Sequence, residues 1–269
     1  MNALAKGISD GGIVTWRNLM NVRRNPDWLM AATLQPIMFV LLFAYVFGNA
    51  IGGEAGGAAY REFLIAGIFA QTVAFNSAFT VIGFANDLQK GIIDRFRSLP
   101  MSPAAVLIGR TTADLILSTA SLLIMGLVGL LVGWRIHTSV PEALGGIVLL
   151  LAFSYALSWV MGALGLAVRK PEVFNNVSMV VVFPLTFLAN TFVDSSRLPT
   201  PLRVIADWNP VSAITQASRE LFGNTSPAMP VHDAWPMQHA VLASVLWIAL
   251  LLVIFVPLSV RCYKKATSH

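Results

Sequence analysis

The sequence predicts an all-α integral membrane protein with six transmembrane helices. Three observations lead to this fold class: the chain is very apolar, its charged residues are few and unevenly spread, and its apolar stretches have helical length. Of the 269 residues, 56% are hydrophobic and only 12% are charged, and the mean hydropathy is +0.71. Soluble domains carry about twice that share of charged residues. This composition excludes a soluble protein and a disordered chain, because disorder requires low hydrophobicity and high charge.

Six segments of 20 to 27 residues contain no Asp, Glu, Lys or Arg, and the next longest charge-free gaps have 12 residues. These six windows are 28–53, 63–86, 115–134, 143–168, 173–193 and 234–260. A helix needs about 20 apolar residues to cross the hydrocarbon core of a bilayer. The windows are apolar on every side, unlike the alternating strands of a membrane β-barrel. We therefore expect one transmembrane domain over residues 1–269.

The basic residues predict which side of the membrane each connection faces. Segments 1–27, 87–114, 169–172 and 261–269 carry 13 of the 18 Lys and Arg residues, and the alternate connections carry five. Cytoplasmic connections are the ones enriched in Lys and Arg, so we expect both termini in the cytoplasm. The pI of about 9.7 then reflects topology and contact with anionic lipid, not binding to nucleic acid.

The N-terminal 27 residues contain a predicted amphipathic helix at the membrane surface. Its apolar arc comprises Ile13, Trp16, Leu19, Met20 and Val22, and its polar arc comprises Arg17, Asn18, Asn21 and Arg24. Trp16 is expected in the headgroup layer, and Pro26 is expected to end the helix. A basic membrane anchor and a contact surface for a partner are equally compatible with this pattern.

A second amphipathic helix is predicted at Asp87–Leu99, within the cytoplasmic segment 87–114. One arc holds Leu88, Ile92, Ile93, Phe96 and Leu99, and the opposite arc holds Lys90, Asp94, Arg95, Arg97 and Ser98. Pro100 and Pro103 then end the helix. A solvated connector is one interpretation. The mixed charges favour a protein partner instead, because charges of both signs give register and specificity to an interface.

The external segment 194–233 is predicted to contain a further helix. Asn209 is typical of an N-cap, Pro210 of the first helical position, and Gly223 of a helix stop. Apolar residues recur between them at helical spacing, namely Val211, Ile214, Leu221 and Phe222. This helix is expected to shield the bundle and to act as an external gate, two roles that are compatible.

The polar residues identified at membrane depth carry amides or a hydroxyl and none is ionisable: Gln35, Gln71, Asn76, Asn175, Asn176, Ser178 and Asn190. Asp114 lies at the cytoplasmic end of the third window. Carriers driven by protons usually place ionisable groups within the membrane, which weakens that interpretation. A stripe of alanines in the second window predicts a packing seam: Ala66, Ala70, Ala74 and Ala78. The neighbouring stripe, Gln71, Phe75 and Phe79, is interpreted first as packing and second as a substrate path.

Catalytic motifs give a negative result. The chain has no Gly-Lys dipeptide and therefore no P-loop. Its four histidines lack metal-ligand spacing, and its single cysteine, Cys262, excludes a disulfide framework. We expect no catalytic residue, no metal site and no cofactor bound by this chain.

Two segments resemble ABC-2 type exporter permeases, and in particular their daunorubicin/doxorubicin-resistance branch. The first is residues 90–102, KGIIDRFRSLPMS, after the second window. The second is residues 192–199, FVDSSRLP, followed by Asn209-Pro210-Val211-Ser212 and Arg219. The length of the chain, its six charge-free windows and its predicted topology also resemble those of this family. Gln89 departs from the family, because many relatives carry glutamate there.

This resemblance implies an exporter permease that moves an amphipathic drug, a lipid or a lipid-linked glycan out across a bacterial plasma membrane. It implies two permeases, identical or paralogous, each bound to a separate ATPase subunit that uses ATP and Mg²⁺. The implied ATPase contacts are Trp16, Arg17, Leu88, Gln89, Lys90, Gly91, Ile92, Asp94, Arg95, Phe96 and Arg97. The implied substrate path contains Gln71, Phe75, Asn76, Phe79, Asn176 and Met179, and the implied external gate contains Asn209, Pro210 and Phe222. The alternatives are an ATP-independent carrier or channel and, less favoured, an intramembrane enzyme.

Overall fold

The computed structural model describes residues 3–24, 27–46, 56–92, 103–167, 174–225 and 233–266. Ten α-helices lie in these ranges: α1 (Ala3–Arg24), α2 (Asp27–Leu41), α3 (Gly56–Gln89), α4 (Pro103–Val132), α5 (Val140–Ala167), α6 (Phe174–Phe187), α7 (Thr200–Asp207), α8 (Pro210–Phe222), α9 (Trp235–Gln238) and α10 (Ala240–Ala266). A π-helical turn, Leu42–Val46, continues α2, and a 3₁₀ turn, Ser195–Arg197, precedes α7. The described ranges contain no strand, so the all-α fold class is confirmed.

Within the described ranges, four helices are long and apolar enough to cross a membrane: α3, α4, α5 and α10. They cover the second, third, fourth and sixth predicted windows. The first and fifth windows form shorter apolar helices, at Ala32–Val46 and Ser178–Phe187. α6 ends before its window does, because the backbone N–H of Asn190 donates to Ser212 Oγ (3.0 Å) instead of continuing the helix.

The helix that contains the third window is longer than the window. The charge-free window begins at residue 115, but α4 begins at Pro103, so residues 103–114 of the predicted cytoplasmic segment are also helical. Arg110 and Asp114 lie inside α4 and pair with each other, with Nη2 and Oδ1 3.2 Å apart. A boundary drawn from charge alone misses this start, because an internal ion pair satisfies both charges within the helix.

Helix α3 forms the centre of the bundle and packs against α2, α4, α5, α6 and α8. Its most apolar stretch is 83% buried, whereas the corresponding stretch of α10 is 17% buried. The predicted alanine seam is confirmed: Ala66, Ala70, Ala74 and Ala78 are all buried. Small side chains let helix backbones approach closely and gain van der Waals contact, which drives helix association in lipid.

Candidate functional site

The two ends of the bundle carry different structures, which we name the α1 end and the α8 end. α3 runs from the α8 end to the α1 end, and α4 runs back. Helix α1 packs beside the last turn of α3 and the first turns of α4. The opposite end carries α7, α8 and the connection between α4 and α5. The described residues of the segments predicted to be cytoplasmic therefore lie at the α1 end, and the described residues of the segments predicted to be external lie at the α8 end.

Helix α1 is fixed to the bundle by close packing and one ion pair. A Cβ on Gly109 of α4 would lie 2.6 Å from Val14 Cβ, so only glycine allows this approach. Thr15 Oγ1 donates to the Gly109 carbonyl (3.2 Å). Arg17 Nη2 donates to Asp87 Oδ2 (2.6 Å), joining α1 to the end of α3.

The predicted faces of α1 are correct in part. Ile13 and Trp16 leave 64% and 65% of their surface exposed, as expected for a helix that offers its apolar arc outward. Asn18 is buried and Arg17 turns toward Asp87, so the polar arc faces the bundle at these positions. Arg17 and Asn18 can face the bundle because a polar side chain is tolerated against protein wherever it finds hydrogen-bond partners.

The predicted helix Asp87–Leu99 is not continuous. Leu88 and Gln89 belong to the last turn of α3, and Gly91 interrupts the helix with a φ of +61°. Lys90 is exposed beside this break, and Ile92 is half-buried. Glycine adopts a positive φ at no steric cost, so Gly91 allows the chain to change direction here. Asp94, Arg95, Phe96 and Arg97 lie outside the described residues.

A buried polar cluster links α3 to α4 between the α1 end and the bundle centre. Thr80 Oγ1 donates to Asp114 Oδ2 (2.6 Å), and Arg110 Nη2 donates to the Phe79 carbonyl (2.8 Å). Gly83 provides the space, because a Cβ there would overlap the Arg110 guanidinium. Sequence reasoning missed this cluster. Its signal was a glycine on α3 and an Arg/Asp pair at i, i+4 spacing on α4.

The external helix α8 has the predicted caps. Asn209 Oδ1 accepts from the Val211 N–H (2.8 Å), Pro210 takes the first helical position, and Gly223 ends the helix with a φ of +73°. Asn209 Nδ2 also donates to the Leu185 carbonyl of α6 (2.7 Å). The predicted gate residue Asn209, at the start of α8, is therefore hydrogen-bonded to α6.

The third gate residue, Phe222, is buried at the end of α8 against α3, α5 and the connection between α4 and α5. Its ring meets Phe69 at 6.0 Å and Trp134 at 5.5 Å between centroids, both edge to face. A Cβ on Gly146 of α5 would lie 2.8 Å from the Phe222 ring. Edge-to-face aromatic pairs add stability beyond burial, so this end of α8 is firmly packed.

The most buried charged group of the α8 end is Arg219. Its side chain is fully buried, and its guanidinium donates to three carbonyls: Nε to Phe63 (3.1 Å), and Nη2 to Asn190 (2.8 Å) and Thr191 (3.2 Å). Burial lowers the pKa of Arg219 to about 9, while the nearby Asp194 charge opposes this shift. Arg219 thus stays protonated at neutral pH. The sequence motif contains this residue, but its burial was not predicted.

The residues of the predicted substrate path lie in different environments. Gln71 and Asn76 of α3 are buried, and the Gln71 amide has no hydrogen-bond partner in the described part of the chain. Phe75 and Phe79 are half-buried on the same helix, and Met179 of α6 is exposed. The Asn176 side chain lies outside what the structure describes. Asn76 Nδ2 also has no partner among the described residues. A buried amide without a partner is costly, which distinguishes Gln71 and Asn76 from the other residues of this path.

The fold and its two ends define a helical multi-span membrane protein with one helix, α1, packed on one end of the bundle and a capped helix, α8, at the other. Residues 11–222 match the family model described as ABC-2 type transporter. The chain is 32% identical over 254 residues to a daunorubicin resistance ABC transporter permease protein of Streptomyces coeruleorubidus, covering 94% of this chain and 86% of that protein. It is 26% identical over 136 residues to a doxorubicin resistance ABC transporter permease protein of Mycobacterium tuberculosis, covering 50% of this chain and 47% of that protein. The chain belongs to the ABC-2 type transporter family, as the sequence motifs indicated.

Proposed function

We propose that this chain is the membrane permease of an ATP-driven exporter in a bacterial plasma membrane. The observation that carries the proposal is the 32% identity over 94% of the chain to a permease named for daunorubicin resistance. Four apolar helices of spanning length and two shorter ones support a transmembrane path. The substrate class is an amphipathic or hydrophobic molecule, such as a drug, a lipid or a lipid-linked glycan.

The topology we propose has six spans with both termini in the cytoplasm. α2 and α6 act as the first and fifth spans, although each apolar helix is shorter than about 20 residues. The α1 end is cytoplasmic and the α8 end is external. The support is the distribution of Lys and Arg, 13 against five, because short cytoplasmic connections carry the excess of basic residues.

The energy source is a separate ATPase subunit that binds ATP and Mg²⁺ and docks at the α1 end. Its contacts are the exposed Trp16, the break at Lys90–Ile92, and the charged segment 94–97. The Arg17–Asp87 ion pair joins α1 to the end of α3. A movement of the segment after α3, caused by the ATPase, is therefore transmitted to α1 as well. Two copies of the permease, or this chain and a paralogue, form the complete path.

A substrate crosses this path next to α3 and α6, near Gln71, Phe75, Asn76, Phe79, Asn176 and Met179. Gln71 supports this role, because an amide without a partner is free to bind a polar group of a substrate. The α8 end then acts as the external gate, with Asn209, Pro210 and Phe222 setting the position of α8.

Reconstitution with the cognate ATPase tests the function. The permease and ATPase, co-purified and placed in proteoliposomes, are expected to transport daunorubicin or doxorubicin on addition of ATP and Mg²⁺. Charge reversal of Asp94, Arg95 and Arg97 together is expected to abolish co-purification and stimulated ATP turnover. Reversal of Arg261, Lys264 and Lys265 at the end of α10 is the matched control. Transport by the chain alone under an ion gradient, without ATP, would establish the carrier alternative instead.

A further inference from the structure

A cavity of about 480 Å³ lies between α4 and α5, away from the predicted substrate path. Its walls are Leu123, Gly126, Leu127 and Leu130 of α4 with Ile147 and Leu151 of α5. Gly126 creates part of this space, because a Cβ there would meet no atom within 4 Å. The cavity is large enough for a segment of a hydrocarbon chain.

The lining offers almost no polar group to a ligand. Trp134 lines the cavity, but its Nε1–H donates to Asn224 Oδ1 (2.6 Å), so the ring presents hydrocarbon. Thr119 also lines it, but its hydroxyl donates to the Leu115 carbonyl of its own helix (2.9 Å). Any group that enters this cavity must therefore be apolar, because a polar group would lose its hydrogen bonds.

The cavity opens on a face of the bundle that suits lipid. Leu123 and Leu127 of α4 leave 66% and 64% of their surface exposed, and Val148 of α5 leaves 65%. Along α4 the lining extends from Thr119 to Leu130, which is about 16 Å at 1.5 Å per residue. One leaflet contributes about 15 Å of hydrocarbon, so the cavity matches the length of an acyl chain in the leaflet at the α8 end.

Two guanidinium groups lie beyond the α8 end of this cavity. Arg61 Nε is buried and has no hydrogen-bond partner among the described residues, and it would lie 3.9 Å from a Cβ on Gly133. Arg135 is exposed and folds back over the end of α4, where Nη1 donates to the Leu130 carbonyl (2.8 Å). Glu62 is the nearby acid, and it pairs with His137 at 2.9 Å. The two arginines thus flank the place where a lipid headgroup would lie.

We propose that the cavity binds an acyl chain of an anionic phospholipid from the outer leaflet, with the phosphate beside Arg61 and Arg135. An acyl chain satisfies the apolar walls, and a phosphate supplies an acceptor for the Arg61 guanidinium at its two Nη atoms, which are not buried as Nε is. Phe222 of α8 also lines the cavity. The bound lipid therefore supports the packing of the gate helix from the membrane side.

Photolabelling of the full-length protein in vesicles tests this site directly. The probe is phosphatidylglycerol with a diazirine on one acyl chain, and phosphatidylcholine with the same chain is the headgroup control. After irradiation, peptide mass spectrometry is expected to place adducts on residues 119–130 at a higher level than on α10, although Val253 of α10 leaves 74% of its surface exposed. Adducts spread over α4 and α10 in proportion to exposure would overturn the proposal.

Variants with matched controls sharpen the test. Gly126→Phe fills the cavity and is expected to lower labelling of α4 about tenfold, equivalent to about 1.4 kcal/mol of affinity. Gly145→Phe adds the same ring at a glycine that also meets no atom within 4 Å but does not line the cavity, and labelling should not change. Arg61→Gln is expected to lower labelling by phosphatidylglycerol about fivefold. The same variant should not change labelling by phosphatidylcholine, and the control variant Arg203→Gln should not change labelling by either lipid.

Two further outcomes would exclude the lipid assignment. Displacement of the labelled lipid by excess daunorubicin, at concentrations that leave vesicles intact, would make the cavity a drug site. Cross-links between α4 residues of two chains would make this face an interface between copies. Labelling needs no ATPase and no transport, so its failure leaves the proposed function untouched.

Discussion

The guanidinium carbon of Arg219 lies 3.4 Å from the centroid of the Phe63 ring, and its Nε donates to the Phe63 carbonyl. One side chain of α8 thus holds both the backbone and the ring of a residue in α3. The same guanidinium also holds the chain that follows α6, through Asn190 and Thr191. Three elements of the α8 end therefore meet at a single buried cation, and removing it should loosen all three.

Arg219→Ala is expected to destabilise the protein by about 3 kcal/mol or more, because three buried carbonyls lose their donor. Thermal unfolding in detergent measures the change. Arg203→Ala is the control, since Arg203 is a partly exposed arginine of the same end that pairs with Asp207 and Asp233. Arg203→Ala is expected to lower the free energy of unfolding by at most about 1 kcal/mol. Equal stability of the two variants would show that Arg219 is not the junction of the α8 end.

The Arg17–Asp87 pair is expected to couple α1 to the end of α3 during the ATPase cycle. Asp87→Arg alone should lower stimulated ATP turnover, because like charges then face each other at the contact between α1 and α3. The double exchange, Arg17→Asp with Asp87→Arg, should restore most of it, since the pair itself contributes about 1 kcal/mol. ATP turnover of the reconstituted complex is the measurement. A double variant as inactive as the single one would argue against coupling through this pair.

Gly83→Ala is expected to destabilise the bundle although alanine favours helices. The added Cβ would displace the Arg110 guanidinium and leave Asp114 without its cation inside the helix pair. The guanidinium is the far end of a flexible side chain that remains in the protein, so the expected cost is about 1 kcal/mol. Gly145→Ala is the matched control and should be neutral or stabilising by up to about 1 kcal/mol, because nothing blocks its Cβ. Thermal unfolding compares the two variants, and similar melting would refute the role of Gly83.

Gln71→Leu separates a substrate contact from a packing role. The buried Gln71 amide has no partner in the described residues, so its replacement should leave stability unchanged or raise it by about 1 kcal/mol. If Gln71 lies on the proposed substrate path, ATP-driven transport in the reconstituted complex should fall, because the path loses a polar contact. Ser154→Ala, which breaks the hydrogen bond to Ser118 Oγ, should show the opposite pattern: a small loss of stability with transport retained. A clear loss of stability in Gln71→Leu would mean that the amide is structural.

The sequence by itself determined the helical class, the central spans, the caps of α8 and the family. Each of these is encoded locally. Charge-free length marks a span, and an Asn-Pro pair followed by a Gly marks the two ends of a helix. The alanine seam of α3 was also predictable, because small residues at every fourth position fall on one side of a helix.

Only the tertiary structure decided the places where charges are buried and where helices end. Arg110 and Asp114 extend α4 beyond its charge-free window, because each neutralises the other and Gly83 of α3 leaves room for them. Arg219 is tolerated in the interior because carbonyls from two other elements surround it. Gly91 breaks a helix whose amphipathic pattern predicts continuity. The local sequence shows which residues are charged and would be unfavourable to bury. The hydrogen-bond and ion-pair partners that make burial possible come from distant parts of the chain, so only the folded structure reveals them.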